Sequence, residues 1–489
     1  MHGEKHNRRT FLKSNAAALG ALGIPAVTGH AQDAPNVVFI ICDQMRGDAM
    51  GCMGNPNART PHLDRLAKQG VLFPRGFSNN PVCVPSRMAT FAGRYPHQTG
   101  RLSNRSWDAK ELCVEGTLAG YFLRRGYRTG WIGKNHTYQG EEFKKFDTAS
   151  LRARERFRKY SRFVPPHWHS DTFLPAELCN PRKNTDEAIQ FIQKAKQNEP
   201  FFLHVSYFDP HPPYMAPAEF SSRYCSESIK LPRFVPPKNL SRRLANYAEC
   251  MHLDELSEAD LRETLRYYHA SVEWGVDHQV GRIMNTLQTQ GLLENTIVVF
   301  TSDHGDFMCD YHMVRKGMFL YDSLLHVPFI WHAPGRIMEG DRVDNLAQGI
   351  DIFPTLIELT GGTVPEHLEG RSLRDNLRGQ SGDLAGEALF TTAAYGVVEP
   401  VNNPAVDLKD PDETPLHTRV MEQGMEPKYS TMMIRTHKYK YIMNENDPPE
   451  LYDVNGDVHE MKNVAEKGAH AAERTQLEKR LKTWRKKTT

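Results

Sequence analysis

The 489-residue sequence predicts an α/β fold, a large and mostly parallel sheet flanked by helices, followed by a small C-terminal α+β subdomain with a short antiparallel sheet. Three observations predict it. Apolar, β-branched runs at 36–42, 129–133, 201–208 and 296–301 have the unbroken hydrophobicity of strands buried on both faces. Helical stretches separate them. The clearest is the stripe Tyr268, Val272, Val276, Val280, Ile283 and Leu287, spaced by fours and a three and read as core packing. Strands that alternate with helices in this way build a sheet covered on both faces. From about residue 385 the pattern changes. A hairpin (429–435 and 437–443) is followed by Glu450-Leu451-Tyr452-Asp453 and a final amphipathic helix ending at Trp484.

Charge and composition narrow the function. Lys and Arg total 61 against 59 Asp and Glu, a formal net charge of +2, so no global field marks a nucleic-acid or membrane-surface binder. Any preference for anions has to be built locally. Residues 1–31 read as a twin-arginine signal peptide: Asn7-Arg8-Arg9-Thr10-Phe11-Leu12-Lys13, an apolar run from Ala16 to Val27, and the small-residue exit Gly29-His30-Ala31. That run is too short to span a bilayer and has the length of a signal core. The expected product is exported to the periplasm or beyond a bacterial cell, without stable membrane insertion. Eight cysteines (42, 52, 83, 113, 179, 225, 250 and 309) are scattered with no CxxC, so disulfides are permitted but not demanded. The basic stretch from Arg152 to Pro166 reads as a surface insertion, and Arg485-Lys486-Lys487 as a solvated helix end.

The polar residues fall in a telling place. Each apolar run ends in ionisable groups: Asp43-Gln44 after Cys42, Lys134-Asn135-His136 after Gly133, Asp209 to Tyr214 (with His211) after Phe208, and Asp303-His304-Gly305-Asp306 after Ser302. Open α/β sheets bind ligands at the carboxyl ends of their strands, so these clusters are expected to converge. Asp306 is read as a cap for a helix after its strand. Separately, Cys83-Val84-Pro85-Ser86-Arg87 lies between a polar loop (Ser78 to Pro81) and a helical stretch from Arg87 to Gly93. A cysteine at a helix start beside an arginine feels positive potential, which favours thiolate and anion alike. The residues alone leave two readings open, a reactive thiol or anion site and a partly buried structural cysteine.

Cys83-Val84-Pro85-Ser86-Arg87, followed by Gly93-Arg94-Tyr95-Pro96-His97-Gln98-Thr99-Gly100, resembles the signature of the type I sulfatases, the formylglycine-dependent arylsulfatase family of the alkaline phosphatase superfamily. Further landmarks occur in order: residues 36–44, Thr60 to Ala67, Gly133 to His136, Asp209 to Tyr214, Thr301 to Asp306, Arg315-Lys316-Gly317, and Glu450 to Asp453 with Asn463-Val464-Ala465. The resemblance implies an alkaline-phosphatase-like core, with a catalytic domain over 32–384 and the C-terminal subdomain over 385–489. It implies that a formylglycine-generating enzyme converts Cys83 to formylglycine and that the twin-arginine translocase exports the product. Asp43, Gln44, Asp303 and His304, with the oxygen of residue 83, would bind one divalent cation. Ca²⁺ is foremost; Mg²⁺ or Mn²⁺ stays open because Gln44 and His304 stand where many relatives carry Asp and Asn. Arg87, Lys134 and Lys316 would surround the sulfate. One hydroxyl of the hydrated aldehyde would attack sulfur, His136 would be the base for sulfate release, and His211 with Lys316 would protonate the leaving alcohol. Asn104 and His312 are expected in the substrate pocket.

The expected activity is hydrolysis of a sulfate monoester, carried by a sugar or an aryl group. Two alternatives stand beside it: a phosphonate monoester or phosphodiester hydrolase, motivated by the pairs Asp43-Gln44 and Asp303-His304, and a non-catalytic anion-binding protein. Specificity is expected to reside in 141–180, 215–260 and 394–428, rich in Arg, Pro and aromatic residues.

Overall fold

The computed structural model describes residues 34–104, 112–138, 140–150, 169–172, 175–196, 198–232, 241–250, 253, 256–380, 387–395 and 428–489. The expected signal peptide, the insertion at 152–166, the domain boundary at 384 and most of 394–428 lie outside the described residues.

Eight strands form the central sheet: β1 (Asn36–Asp43), β2 (Val71–Leu72), β3 (Arg128–Gly133), β4 (Thr148–Ser150), β5 (Phe201–Pro210), β6 (Thr296–Ser302), β7 (Phe329–His332) and β8 (Asp341–Arg342), in the spatial order β8-β2-β7-β6-β1-β5-β3-β4. The five strands from β6 to β4 are mutually parallel, while β7 runs antiparallel to β6 and β2. β1 sits between β5 and β6, with Val37 to Ile41 opposite Phe202 to Ser206 and Ile297 to Thr301. Its alternation of side chains explains the unbroken apolar run. Val38, Ile40 and Cys42 enter one core, while Val37, Phe39 and Ile41 enter another on the opposite face.

Helices supply both covers: α1 (Pro61–Gln69), α2 (Cys83–Ala92), α3 (Leu118–Arg124), α4 (Asn180–Gln193), α5 (Glu258–Val272), α6 (His278–Thr289) and α7 (Ile352–Leu359). Leu63, Phe191, Leu261 and Val280 of α1, α4, α5 and α6 join the first core; Phe91, Phe122 and Phe353 of α2, α3 and α7 join the second. The stripe from Tyr268 to Leu287 is buried throughout, as expected. A π-helical turn, Glu273–Asp277, joins α5 to α6. Its wider turn suits the spacing by fours, which a pure 3.6-residue period would carry off the buried face.

The C-terminal part is an antiparallel sheet, β8's successor strands being β9 (Leu389–Tyr395), β10 (Tyr429–Arg435), β11 (Tyr439–Asn444) and β12 (Glu450–Asp453) in that spatial order, with α8 (Ala471–Lys487) packed on it. The expected elements are present. β5 runs on to Pro210, α8 continues past Trp484 to Lys487, and α2 starts at Cys83 itself instead of Arg87. A third core joins this part to the catalytic side, with Trp484 edge-on to Tyr95 at 4.8 Å and stacked on Phe390 at 4.8 Å. Among the described residues no helix is long and apolar enough to cross a membrane.

Candidate active site

β1 and β6 end side by side, which places Asp43 next to Asp303. The ladder continues one step beyond the strands, the Asp303 amide donating to the Cys42 carbonyl at 3.1 Å. The chain then turns sharply at Gln44, which takes a left-handed φ of 72° and donates its amide to Asp303 Oδ1 at 3.1 Å. Gly133 ends β3 at φ 97°, where a Cβ would collide with the Ser206 carbonyl. That close approach lets Lys134 turn inward from the neighbouring strand.

α2 delivers Cys83 over these strand ends. All ten of its residues are buried, and Gly93 closes it in the left-handed conformation. Its first turn is fastened to the sheet by the Ser86 hydroxyl, which donates to the Asp303 carbonyl at 2.5 Å, and Ser78 of the preceding loop reaches the same carbonyl at 2.5 Å. Asn104 Oδ1 accepts from the Val84 amide at 3.0 Å, satisfying an amide that the helix cannot. Asn104, expected in the substrate pocket, holds the start of α2 in place.

The ligand-capable atoms of Asp43, Cys83, Asp303 and His304 lie within 4.8 Å of one another, all buried. Cys83 Sγ is 3.5 Å from Asp43 Oδ1 and 3.3 Å from His304 Nε2, and Lys316 Nζ is 2.8 Å from Sγ. His304 Nε2 is 3.4 Å from Asp43 Oδ1 and 3.5 Å from Asp303 Oδ1. His304 Nδ1 faces the Gly305 carbonyl at 2.8 Å, so Nδ1–H donates there and Nε2 turns to the cluster. Burial and Lys316 press His304 down, but Asp303, Cys83 and Asp43 lift it to about 9. Those anionic neighbours favour positive charge around Nε2, where Lys316 Nζ already stands 3.0 Å away.

Cations close the other side. Lys134 Nζ pairs with Asp43 Oδ2, and Arg87 Nε with Asp303 Oδ2 at 2.7 Å, all four side chains buried. Arg87 Nη1 donates to Ser206 Oγ at 2.7 Å, while its buried Nη2 has no partner among the described residues. Burial opposes charge on Asp43, but Lys134, His211 and Lys316 hold its carboxyl well below the usual range. Burial and Asp43 push the Cys83 thiol up; Lys134, Lys316 and His304 outweigh them and hold it well below the usual thiol range.

His211 is buried, its Nδ1 2.8 Å from the Pro212 carbonyl, and burial together with Lys316 keeps it well below its ordinary pKa. His136 is open to solvent on one side yet closely surrounded on the other, where it interacts with Cys83; burial and Lys134 lower its pKa. His312 lies on the turn after β6 and places Nε2 2.9 Å from the Leu256 carbonyl.

A cation fits this place on the donors' own evidence. Four convergent donors surround it, and Gln44, next to Asp43 in the chain, has a buried Oε1 with no partner among the described residues. One contributor went unread in the sequence and another was read in a different role. Ser206, inside β5, anchors Arg87, and no local pattern marks it. Asp306 caps no helix: its Oδ2 accepts from Gln44 Nε2 at 2.5 Å and from Tyr214 Oη at 2.7 Å, and its Oδ1 from the Met308 amide at 3.0 Å.

With this geometry in view, residues 35–362 match the protein family described as Sulfatase. The chain belongs to the sulfatase family. It is therefore a hydrolase of sulfuric esters in the alkaline phosphatase superfamily. The chain is 30% identical over 466 residues to the ulvan-active sulfatase of Formosa agariphila, covering 91% of this chain and 80% of that one. It is 28% identical over 466 residues to the Δ4,5-hexuronate-2-O-sulfatase of Bacteroides thetaiotaomicron, covering 91% and 87%. The solved phosphonate monoester hydrolase of Agrobacterium radiobacter superposes with a TM-score of 0.73 at 24% identity, over 93% of this sulfatase and 96% of that chain, a likeness of fold.

Proposed function

We propose that this sulfatase removes sulfate from a saccharide monoester, using Cys83 matured to formylglycine and one divalent cation. The observation that carries the reading is the cationic cradle around Cys83: Lys316 reaches the residue itself, Lys134 and Arg87 pair with Asp43 and Asp303 of the same cluster, and a buried guanidinium nitrogen is still to be satisfied. In-line attack on sulfur passes through a trigonal-bipyramidal transition state, whose negatively charged equatorial oxygens need several donors in place beforehand, in a buried setting where each counts for more. Asp43, Gln44, Asp303 and His304 would hold the cation, with Ca²⁺ the leading choice for a set made mainly of oxygen. Formylglycine and the cation together supply an activated hydroxyl nucleophile at residue 83.

The chain's own residues do the rest. Arg87 Nη2 and Lys134 bind the non-bridging oxygens and hold them against the nucleophile. Lys316, beside both residue 83 and His304, neutralises charge as the ester bond breaks. His211 is neutral while the cluster holds only its own charges; the arriving sulfate supplies the negative charge that favours a proton there, which His211 then passes to the leaving oxygen. His136, next to residue 83 and open to solvent, accepts the proton whose loss releases sulfate. Asn104 and His312 are assigned to the rim of the pocket. The ulvan-active and hexuronate relatives support a sugar as the leaving group. Export by the twin-arginine translocase, with formylglycine installed beforehand by its generating enzyme, accounts for the first 31 residues.

Mass spectrometry of the Cys83 peptide from protein made in its native host tests the centre of this reading. An aldehyde in place of the thiol is expected, and an unmodified cysteine throughout an active sample would refute it. Rates on sulfated saccharides, an aryl sulfate, an aryl phosphate diester and a phenylphosphonate ester, measured on one preparation, test the substrate. A phosphorus ester preferred by orders of magnitude would overturn the sulfate assignment.

A further inference from the structure

The buried amide of Gln44 has two ends with opposite surroundings. Its Nε2 donates to Asp306 Oδ2 at 2.5 Å, and its Oε1 is buried without a partner among the described residues. Asp306 is itself completely buried and held from two other directions. Tyr214 Oη donates to the same Oδ2 at 2.7 Å, and the Met308 amide donates to Oδ1 at 3.0 Å. A carboxylate that already accepts from a phenol and a backbone amide can only accept from Gln44 as well, so it selects the –NH₂ end of the amide. The oxygen end is thereby turned the other way. The Gln44 backbone is tied in too, its amide donating to Asp303 Oδ1 at 3.1 Å.

We propose that Asp306, steadied by Tyr214, is a positioning residue that fixes the polarity of the Gln44 amide, so that Gln44 presents oxygen and never nitrogen to the cation. The proposal rests on the reading that a cation binds at Asp43, Asp303 and His304. A free glutamine amide can turn over at little cost, and the wrong face would point two N–H dipoles at a positive ion. Asp306 removes that choice before the ion arrives. It also places a buried carboxylate one hydrogen bond behind a neutral ligand, drawing electron density toward Oε1 and strengthening it as a donor.

The chemistry of a single-atom change makes the test sharp. In Asp306→Asn, Oδ1 keeps the Met308 amide and Nδ2 then faces Gln44 Nε2, donor against donor. The Gln44 amide turns over to restore a hydrogen bond, and its –NH₂ replaces oxygen at the cation. In the pair Gln44→Glu with Asp306→Asn, the same bond forms with its polarity exchanged: Nδ2 of residue 306 donates to the new carboxylate, and an oxygen again faces the ion.

The experiment uses the full chain stripped with chelator, titrated with Ca²⁺ by calorimetry and with Mn²⁺ by electron paramagnetic resonance, so that no turnover is needed. Asp306→Asn is expected to weaken binding by about 10- to 100-fold, the usual range for partners of metal ligands. Its melting temperature in chelator should remain near that of the unaltered protein. Tyr214→Phe should weaken binding less, and the exchanged pair should recover the affinity of the unaltered protein or exceed it. Should Asp306→Asn not fold, the exchanged pair and Tyr214→Phe still decide the matter. Unchanged affinity in Asp306→Asn alongside weakened affinity in Gln44→Ala would overturn the proposal, as would a pair no better than Asp306→Asn. No binding of either ion by the unaltered protein would instead overturn the cation reading on which it rests.

Discussion

Replacing Arg87 by lysine keeps the charge and removes the fork, which makes it the most discriminating change at this site. The guanidinium does three things from one position: Nε reaches Asp303 at 2.7 Å, Nη1 reaches Ser206 at 2.7 Å, and Nη2 is left to the substrate. A lysine offers a single ammonium nitrogen, and the Asp303 carboxylate claims it first. Loss of the Ser206 bond then lowers stability by about 2 kcal/mol, the middle of the range for hydrogen bonds to charged groups. If the shorter reach broke the Asp303 pair as well, the loss would rise to about 3–5 kcal/mol, because a buried carboxylate would stand uncompensated. Activity should fall further. Withdrawal of one preorganised donor from a developing oxyanion lowers kcat by about 10²- to 10³-fold, or roughly 2.7–4 kcal/mol of barrier. The assay pairs urea unfolding with initial rates on an aryl sulfate, using matured protein. A stability loss with kcat within a few-fold of the unaltered enzyme would refute the assignment of Nη2 to the sulfate. Undiminished stability would refute the buried fork itself.

Three further outcomes follow from other parts of the structure. Chelator treatment should abolish turnover, and restoring a cation to a hundredfold excess over its Kd should add about 2.7 kcal/mol to stability; a melting temperature indifferent to Ca²⁺, Mg²⁺ and Mn²⁺ would contradict a cation at Asp43 and Asp303. Trp484→Ala should destabilise the protein by about 3–5 kcal/mol in thermal or urea unfolding, since its ring packs against Phe390, Tyr95 and His97; a loss under about 1 kcal/mol would show that α8 does not brace the Tyr95 segment. Asp277 accepts from the His62 and Leu63 amides at 3.0 and 2.8 Å, yet burial, with Asp64 and Glu273 nearby, raises it from 3.8 to about 8. The folded state therefore holds a proton that the unfolded chain releases, so this group's contribution is full below about pH 4 and is lost as pH rises toward about 8, at up to about 1.36 kcal/mol per pH unit. Asp277→Asn should gain on the unaltered protein steadily across that window, and parallel stability curves would refute the account.

Much of this was legible in the chain because the relevant physics is local. The run from Asn36 to Cys42 had to be buried on both faces, since it has no polar alternation to offer water, and the structure sends alternate residues into two separate cores. The strand-end clusters could be located for the same reason: ionisable residues directly after such runs sit where parallel strands open to ligand. The stripe from Tyr268 to Leu287 was legible as core, but the π turn that suits its spacing was not, because a pattern of apolar residues does not reveal which hydrogen-bond register carries it.

What the sequence determined by itself was therefore the kind of fold, the residues with the chemistry to act, and, through the Cys83–Arg87 signature, the family they resemble. The tertiary structure decided how those residues are used. Asp306 is adjacent to known motif residues, and in sequence it reads as a helix cap; only the approach of β1 to β6 sets it against Gln44, and only the return of the chain after β5 brings Tyr214 to it. Ser206 carries no signal at all, because its role is to accept the second arm of an arginine 119 positions away. Hydrogen-bond polarity of this kind depends on which groups meet across the fold, and sequence neighbours do not record it.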